Sequence, residues 1–166
     1  NLKTKGLGAI RNDGFICGIA VATGKETAYF PLRHSDIFID YKRDEKIWDA
    51  LNKKIFQNEN ITKIFHNAMY DVCWIRAVTG MKMKGRIVDT MIAASVIDET
   101  RFKYSLDSLS KDYLNEEKYK YDLQQKTLEW SGGTVKDPMT NMHKLPSSIV
   151  KEYAKQDVNL TYKLWN

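Results

Sequence analysis

A few side chains in this sequence have the type and spacing to do chemistry. Val150, Tyr153, Asp157, Leu160 and Leu164 follow steps of three and four residues. A helix would place them on one face. All are apolar or aromatic except Asp157, and a carboxylate in a core-facing stripe is costly unless a charge or hydrogen bonds meet it. Ala68, Asp71, Ile75 and Val78 repeat the pattern on another helix, with Asp71 the lone charge. Two such carboxylates on separate helices suggest a shared cation. Ligation by oxygen alone suits Mg²⁺ or Mn²⁺ better than zinc. Tyr153 stands one turn before Asp157 and would point into the same site, where its phenol could hold a water or a phosphate oxygen. Each residue also has a plainer role. Asp157 could be a solvent-edge acid or a surface ion-pair partner. Asp71 could serve the helix dipole. Tyr153 could pack in the core with its hydroxyl at the rim.

The surrounding elements must position these groups. Residues 1–14 are rich in Gly, Lys and Asn and read as a loop. Phe15 to Ala22 is continuously apolar and partly β-branched, the pattern of a strand buried on both faces. A turn at Thr23–Glu26 leads to a second strand, Thr27–Phe30, stopped by Pro31, which predicts an antiparallel hairpin. Asp44–Asn58 has helical spacing at Ile47, Trp48, Leu51, Ile55 and Phe56, with Asp44 and Glu45 suited to its N-terminal dipole. Thr62–His66 reads as a short strand. Asn67 is the expected N-cap of the helix that follows, to about Thr79, with Gly80 just past its end. That order puts Asp71 in the first turn after a strand, at the carboxyl edge of the sheet where α/β ligand sites gather.

Arg86–Val88 reads as a further strand, and Asp89 as the cap of a helix to about Ile97. Ser105 opens another helix, with Leu106, Leu109, Tyr113 and Leu114 on one face. Residues 115–145 are polar and irregular, the best candidate for a mobile loop. Pro146 starts the last helix at its first position. The alternation predicts an α/β domain with a hairpin at one end and helix crossovers at the other.

The composition excludes several classes. A chain of 166 residues suggests one domain, spanning 1–166. Two cysteines cannot make a disulfide scaffold or a four-thiolate zinc site. The longest apolar run is far too short to span a membrane. No charged-then-apolar signal segment opens the chain. A soluble protein of a reducing compartment is expected. A net charge of +5 allows a nucleic-acid partner without demanding one. Lysines in the 111–126 stretch either touch a nucleic-acid backbone or form a solvated face with the interleaved acids. The three histidines lack metal-ligand spacing. Cys17 and Cys73 read as inert thiols.

The segment His66-Asn67-Ala68-Met69-Tyr70-Asp71 resembles the second motif, Asn-x-x-x-(Phe/Tyr)-Asp, of the DEDD 3′–5′ exonucleases. Tyr153-Ala154-Lys155-Gln156-Asp157 resembles the third motif, Tyr-x-x-x-Asp, of their tyrosine subclass. Gly18-Ile19-Ala20 and Tyr29-Phe30-Pro31-Leu32-Arg33-His34 resemble the hairpin of the proofreading domain of family A DNA polymerases. So do Val88-Asp89-Thr90-Met91 and Tyr104-Ser105-Leu106-Asp107-Ser108-Leu109. The two ends of the chain look most like polymerases of bacteriophages, and the resemblance runs from end to end.

The resemblance implies a ribonuclease H-like mixed sheet with an antiparallel hairpin and flanking helices. It implies removal of nucleotides from a DNA 3′ end by two-metal hydrolysis with Mg²⁺ or Mn²⁺. Asp157 would ligate the nucleophile-side metal and Asp71 the second, through water. Tyr153 would orient the attacking water. Asn67 would cap its helix or meet the substrate near the scissile end. Asp89 would be a helix cap rather than a ligand. The implied partners are a single-stranded or primer–template DNA 3′ end and a polymerase domain in the same polypeptide. The implied place is the cytoplasm, that of the host cell if a phage encodes it.

One departure is plain. The family's first motif, Asp-x-Glu, supplies two metal ligands, and this chain has no such pair. Either the motif lies upstream of Asn1 and the chain is trimmed past it, or Asn1 and Lys3 replace its acids and the domain is an inactive DNA-binding or structural module. An RNA-processing exonuclease of the same subclass is a further alternative.

Overall fold

The computed structural model describes residues 8–11, 13–116, 125–129 and 138–166. Gly8–Arg11 forms one helical turn (α1) where the composition predicts loop. Two strands follow, β1 (Gly18–Ala22) and β2 (Thr27–Pro31). They pair antiparallel, with Gly18 opposite Pro31 and Ala22 opposite Thr27. The turn between them has Gly24 at φ 81°, a conformation that favours glycine. Pro31 closes β2 from inside the pairing rather than stopping it earlier. A proline is tolerated at a strand end, where its missing N–H is not needed.

The helix α2 (Tyr41–Leu51) begins three residues before the expected Asp44. The Asp40 carboxylate accepts the Arg43 amide at 3.0 Å and caps it there. Its last turn widens into a π-helical turn, Asn52–Phe56, which still delivers Phe56 to the core. Asp44 lies buried in the first turn. It accepts from Arg33 and from Arg43, the latter at 2.8 Å. Burial pushes its carboxyl up, but the two guanidinium groups outweigh that and hold it below the ordinary range.

Next come β3 (Lys63–Phe65), α3 (Ala68–Thr79), β4 (Ile87–Asp89) and α4 (Thr90–Ile97). Strands β3 and β4 pair in parallel, with Phe65 opposite Asp89. Gly80 ends α3 at φ 72° and donates its amide to Arg76 O at 2.8 Å, as its position predicts. The short helix α5 (Leu106–Leu109) is capped by Ser105 and continues as a π-helical turn to Leu114. Leu106 and Leu109 are buried, while Tyr113 of the expected stripe is half exposed.

Within the stretch predicted irregular, residues 125–129 are helical and Pro138–Lys144 forms a 3-10 helix. Thr127 and Leu145 there are fully buried. Residues 117–124 and 130–137 of the predicted mobile loop lie outside the described residues. The last helix, α6 (Ser147–Trp165), starts one residue after Pro146.

Helix α6 packs across β1, β2 and β3, so one helix spans both strand pairs. The α/β architecture and the hairpin agree with expectation. Among the described residues, however, the strands form two separate two-stranded sheets, and β1 does not pair with β3. Correspondingly, β1 is half-buried along its whole length rather than buried on both faces. The main core joins Leu51, Phe56 and Ile75 with Ile19, Phe30 and Trp48. A second cluster, Leu145 and Val150 with Tyr29 and Tyr153, lies under the start of α6.

Candidate functional site

The parallel pairing of β3 and β4 decides the local geometry. Each strand runs directly into a helix, so the N-termini of α3 and α4 emerge side by side. The Asp89 side chain sits between them. Its Oδ1 accepts the amides of Asn67 at 3.0 Å and Met91 at 2.9 Å, and its Oδ2 accepts the amide of Ala68 at 2.7 Å. Asp89 therefore caps α4 as the sequence predicts, and caps α3 as well.

The expectation that the Asn67 side chain caps α3 is corrected. Asn67 holds the N-cap position but lies in the left-handed region, at φ 65° and ψ 55°, and its side chain makes no capping bond. Asn tolerates that conformation better than most residues. Its exposed side chain is left facing outward from the helix start. Behind it, His66 Nδ1 lies 2.9 Å from Thr90 Oγ1, which donates to Phe65 O at 3.1 Å. The hydroxyl has one hydrogen and spends it on the carbonyl, so His66 Nδ1 is the donor to Thr90.

Asp71 is half-buried one turn into α3. Burial pushes its carboxyl up, and the nearby negative charges of Asp89 and Asp157 push it further, against a backbone hydrogen bond that lowers it. The result is a carboxyl raised to about 6. Asp71 thus lies within electrostatic reach of Asp157, on another helix and far apart in sequence, and of Asp89.

On α6, Val150 and Leu160 are buried and Tyr153 and Asp157 half-buried, in keeping with the predicted stripe. One oxygen of Asp157, Oδ1, is shielded from solvent. The Tyr153 ring packs on the Leu145–Val150 cluster, so its core role is real.

Three residues after β2 seat the start of α6. His34 Nδ1 lies 3.2 Å from Leu145 O, the Ser35 amide donates to His143 O at 3.1 Å, and Asp36 accepts the Ser147 amide at 2.8 Å and its hydroxyl at 2.9 Å. A carbonyl only accepts, so His34 Nδ1 carries the hydrogen and its Nε2 accepts from Tyr29 Oη at 2.6 Å. Burial holds the His34 imidazole below its usual range and pushes the Tyr29 phenol up, so both stay neutral. Nothing local in the sequence marks this seat, since its partners lie 108 to 111 positions apart. His34 and His143 are packing residues, His34 buried and His143 edge-on to Phe15. Burial raises the Cys17 thiol, which keeps it protonated and inert.

Crowded carboxylates with a raised pKa are the donor chemistry a hard divalent cation would relieve. Asp71 fits that role and Asp157, whose charge reaches it, would be a second oxygen donor, while Asp89 has spent three acceptor positions on amides. They do not make a full cage. Among the described residues, no group of three or more His, Cys, Asp or Glu is placed to hold a metal. Asn1 and Lys3, which would replace the acids if the first motif fell inside this chain, lie outside the described residues.

The sequence matches the DNA polymerase A 3′–5′ exonuclease family over residues 3–166. The chain belongs to this family. As an exonuclease domain it is 32% identical to the DNA polymerase DpoZ of Salmonella phage PMBT28, over 98% of this chain and 24% of that protein. It is 24% identical to the DNA polymerase of Escherichia phage T5, over 93% of this chain and 18% of that protein. The exonuclease domain thus spans about a quarter or less of the length of these curated relatives. In three dimensions it resembles Brucella melitensis NrnC bound to pGG, with a TM-score of 0.64 and 18% identity, covering 96% of this chain and 65% of that one. That likeness makes the fold ribonuclease H-like. No helix among the described residues is long and apolar enough to cross a membrane.

Proposed function

We propose that this exonuclease domain proofreads for a DNA polymerase, hydrolysing 3′-terminal nucleotides of single-stranded or primer–template DNA with Mg²⁺ or Mn²⁺, in the cytoplasm where replication runs. The observation behind it is that Asp71, in the first turn of α3, and Asp157 of α6 come close enough for the Asp157 charge to raise the Asp71 carboxyl. Asp157 and Asp71 would hold the metals. The bound cations would supply an activated water and steady the leaving 3′ oxygen. Tyr153, one turn before Asp157, would orient the attacking water. Asn67, freed from capping, would meet the substrate near the scissile end.

We take residues 1–166 as one domain of a longer polypeptide that also carries a polymerase domain, as its polymerase relatives do over lengths about four times greater. An Asp-x-Glu upstream of Asn1 would complete the ligand set, and this chain alone would be inactive.

The test is hydrolysis of 3′-labelled single-stranded DNA and RNA, with Mg²⁺ and with chelator, by a version extended upstream through that motif. DNA shortening that stops with chelator and with Asp157→Ala supports the proposal; a loss of at least about a thousandfold is expected for a lost metal ligand. Turnover retained in Asp157→Ala removes Asp157 from the site. Preference for RNA would make the domain an RNA-processing exonuclease, and an upstream sequence without the acids would make it an inactive module.

A further inference from the structure

We propose that Asp89 is a positioning residue: from the end of β4 its single carboxylate fastens the first turns of both α3 and α4, and so sets where Asp71 stands relative to α6. The inference rests on the reading of Asp71 as a cation ligand. A carboxylate offers about four acceptor positions, and three of those on Asp89 are taken by the Asn67, Ala68 and Met91 amides, at 3.0, 2.7 and 2.9 Å. What remains is poorly disposed to ligate a metal.

The three bonds act on two helices at once. Ala68 is the first residue of α3, and Asp71 follows one turn later, about 4.5 Å along the axis at a rise of about 1.5 Å per residue. Any loosening of that first turn is passed directly to the Asp71 carboxylate. The left-handed Asn67 is held between β3 and that turn by the same carboxylate, with no capping bond from its own side chain. A residue in that conformation persists when its surroundings impose it.

The test compares Mn²⁺ affinity, by titration calorimetry, and amide hydrogen exchange in the unsubstituted protein and in Asp71→Asn, Asp89→Asn and Asp89→Ala. The two Asp89 variants lose the same charge. Only Asn keeps an oxygen to accept the Asn67 and Met91 amides, so the difference between them reads the hydrogen bonds. The expected losses in affinity are at least about tenfold for Asp71→Asn, about tenfold for Asp89→Ala, the low end for residues that orient a metal ligand, and about threefold for Asp89→Asn, which keeps part of the bonding. In Asp89→Ala the Asn67 and Ala68 amides should exchange at least about tenfold faster.

Equal affinities for the two Asp89 variants would overturn the inference, because Asp89 would then act through charge alone. Unchanged exchange at Asn67 and Ala68 would do the same. A loss in Asp71→Asn alone overturns the inference and leaves the cation-site reading standing. An Asp71→Asn protein that binds Mn²⁺ like its parent overturns both. If Asp89→Ala does not fold, Asp89→Asn decides: Ala68, which loses its acceptor, must exchange faster than Met91, which keeps one.

Discussion

At the residue scale, Asp71 is held against its own preference. Its carboxyl is raised to about 6 by burial and by the charges of Asp89 and Asp157. The folded state therefore binds a proton near pH 6 that the unfolded chain, near 3.9, does not hold. The stability from this protonation is fully present below about pH 4 and is lost as pH rises through about 6. At neutral pH the ionised side chain costs folding free energy. Replacing Asp71 by Asn should raise stability at pH 8 by about 1–3 kcal/mol, with little change at pH 4. Urea melts of the two proteins across that range check it, since the difference between them cancels other titrating groups such as His34. A site that binds a cation tolerates such repulsion because the cation removes it.

At the element scale, the helices that carry the two acids are each fixed by a carboxylate from elsewhere. Asp89 holds the start of α3. Asp36 holds the start of α6 through the Ser147 amide and hydroxyl, where Pro146 supplies no side-chain cap. Burial works against the Asp36 carboxylate, but the two Ser147 bonds win and hold it below the ordinary range. That contribution is present at neutral pH and disappears as the carboxyl takes a proton in acid. Asp36→Ala should cost about 1 kcal/mol at pH 7, the usual worth of a cap, and nothing once both proteins are below the titration. Chemical denaturation at pH 7 and pH 3 gives the comparison. A cost that persists unchanged at pH 3 would mean the bonds to Ser147 are not its source.

At the scale of the whole molecule, the two strand pairs are joined by α6 packing and not by ladder hydrogen bonds among the described residues. An unpaired strand edge is a site for pairing with another chain. A version extended upstream through the proposed Asp-x-Glu, if those residues add a strand to the sheet, should raise the urea midpoint and reduce concentration-dependent association. Equal midpoints, with and without the extension, would sink that reading. Binding of the extended domain to DNA should weaken with salt, as phosphate contacts release counterions.

The sequence by itself determined the main strands and helices and singled out the two acids. Three- and four-residue periodicity located α3 and α6, and local chemistry marked Ser105, Gly80 and Asp89 as helix ends. These signals depend on neighbours within a turn or two, which a sequence displays directly. Asp71 and Asp157 stood out because charge interrupts an apolar stripe. Only the tertiary structure decided that Asp89 caps α3 in place of Asn67, that Asp36 caps α6, and that Asp71 titrates near 6. Each of those depends on groups that the chain brings together from about 20 to more than 100 positions away. Parallel pairing and helix packing set such distances, and no local periodicity encodes them.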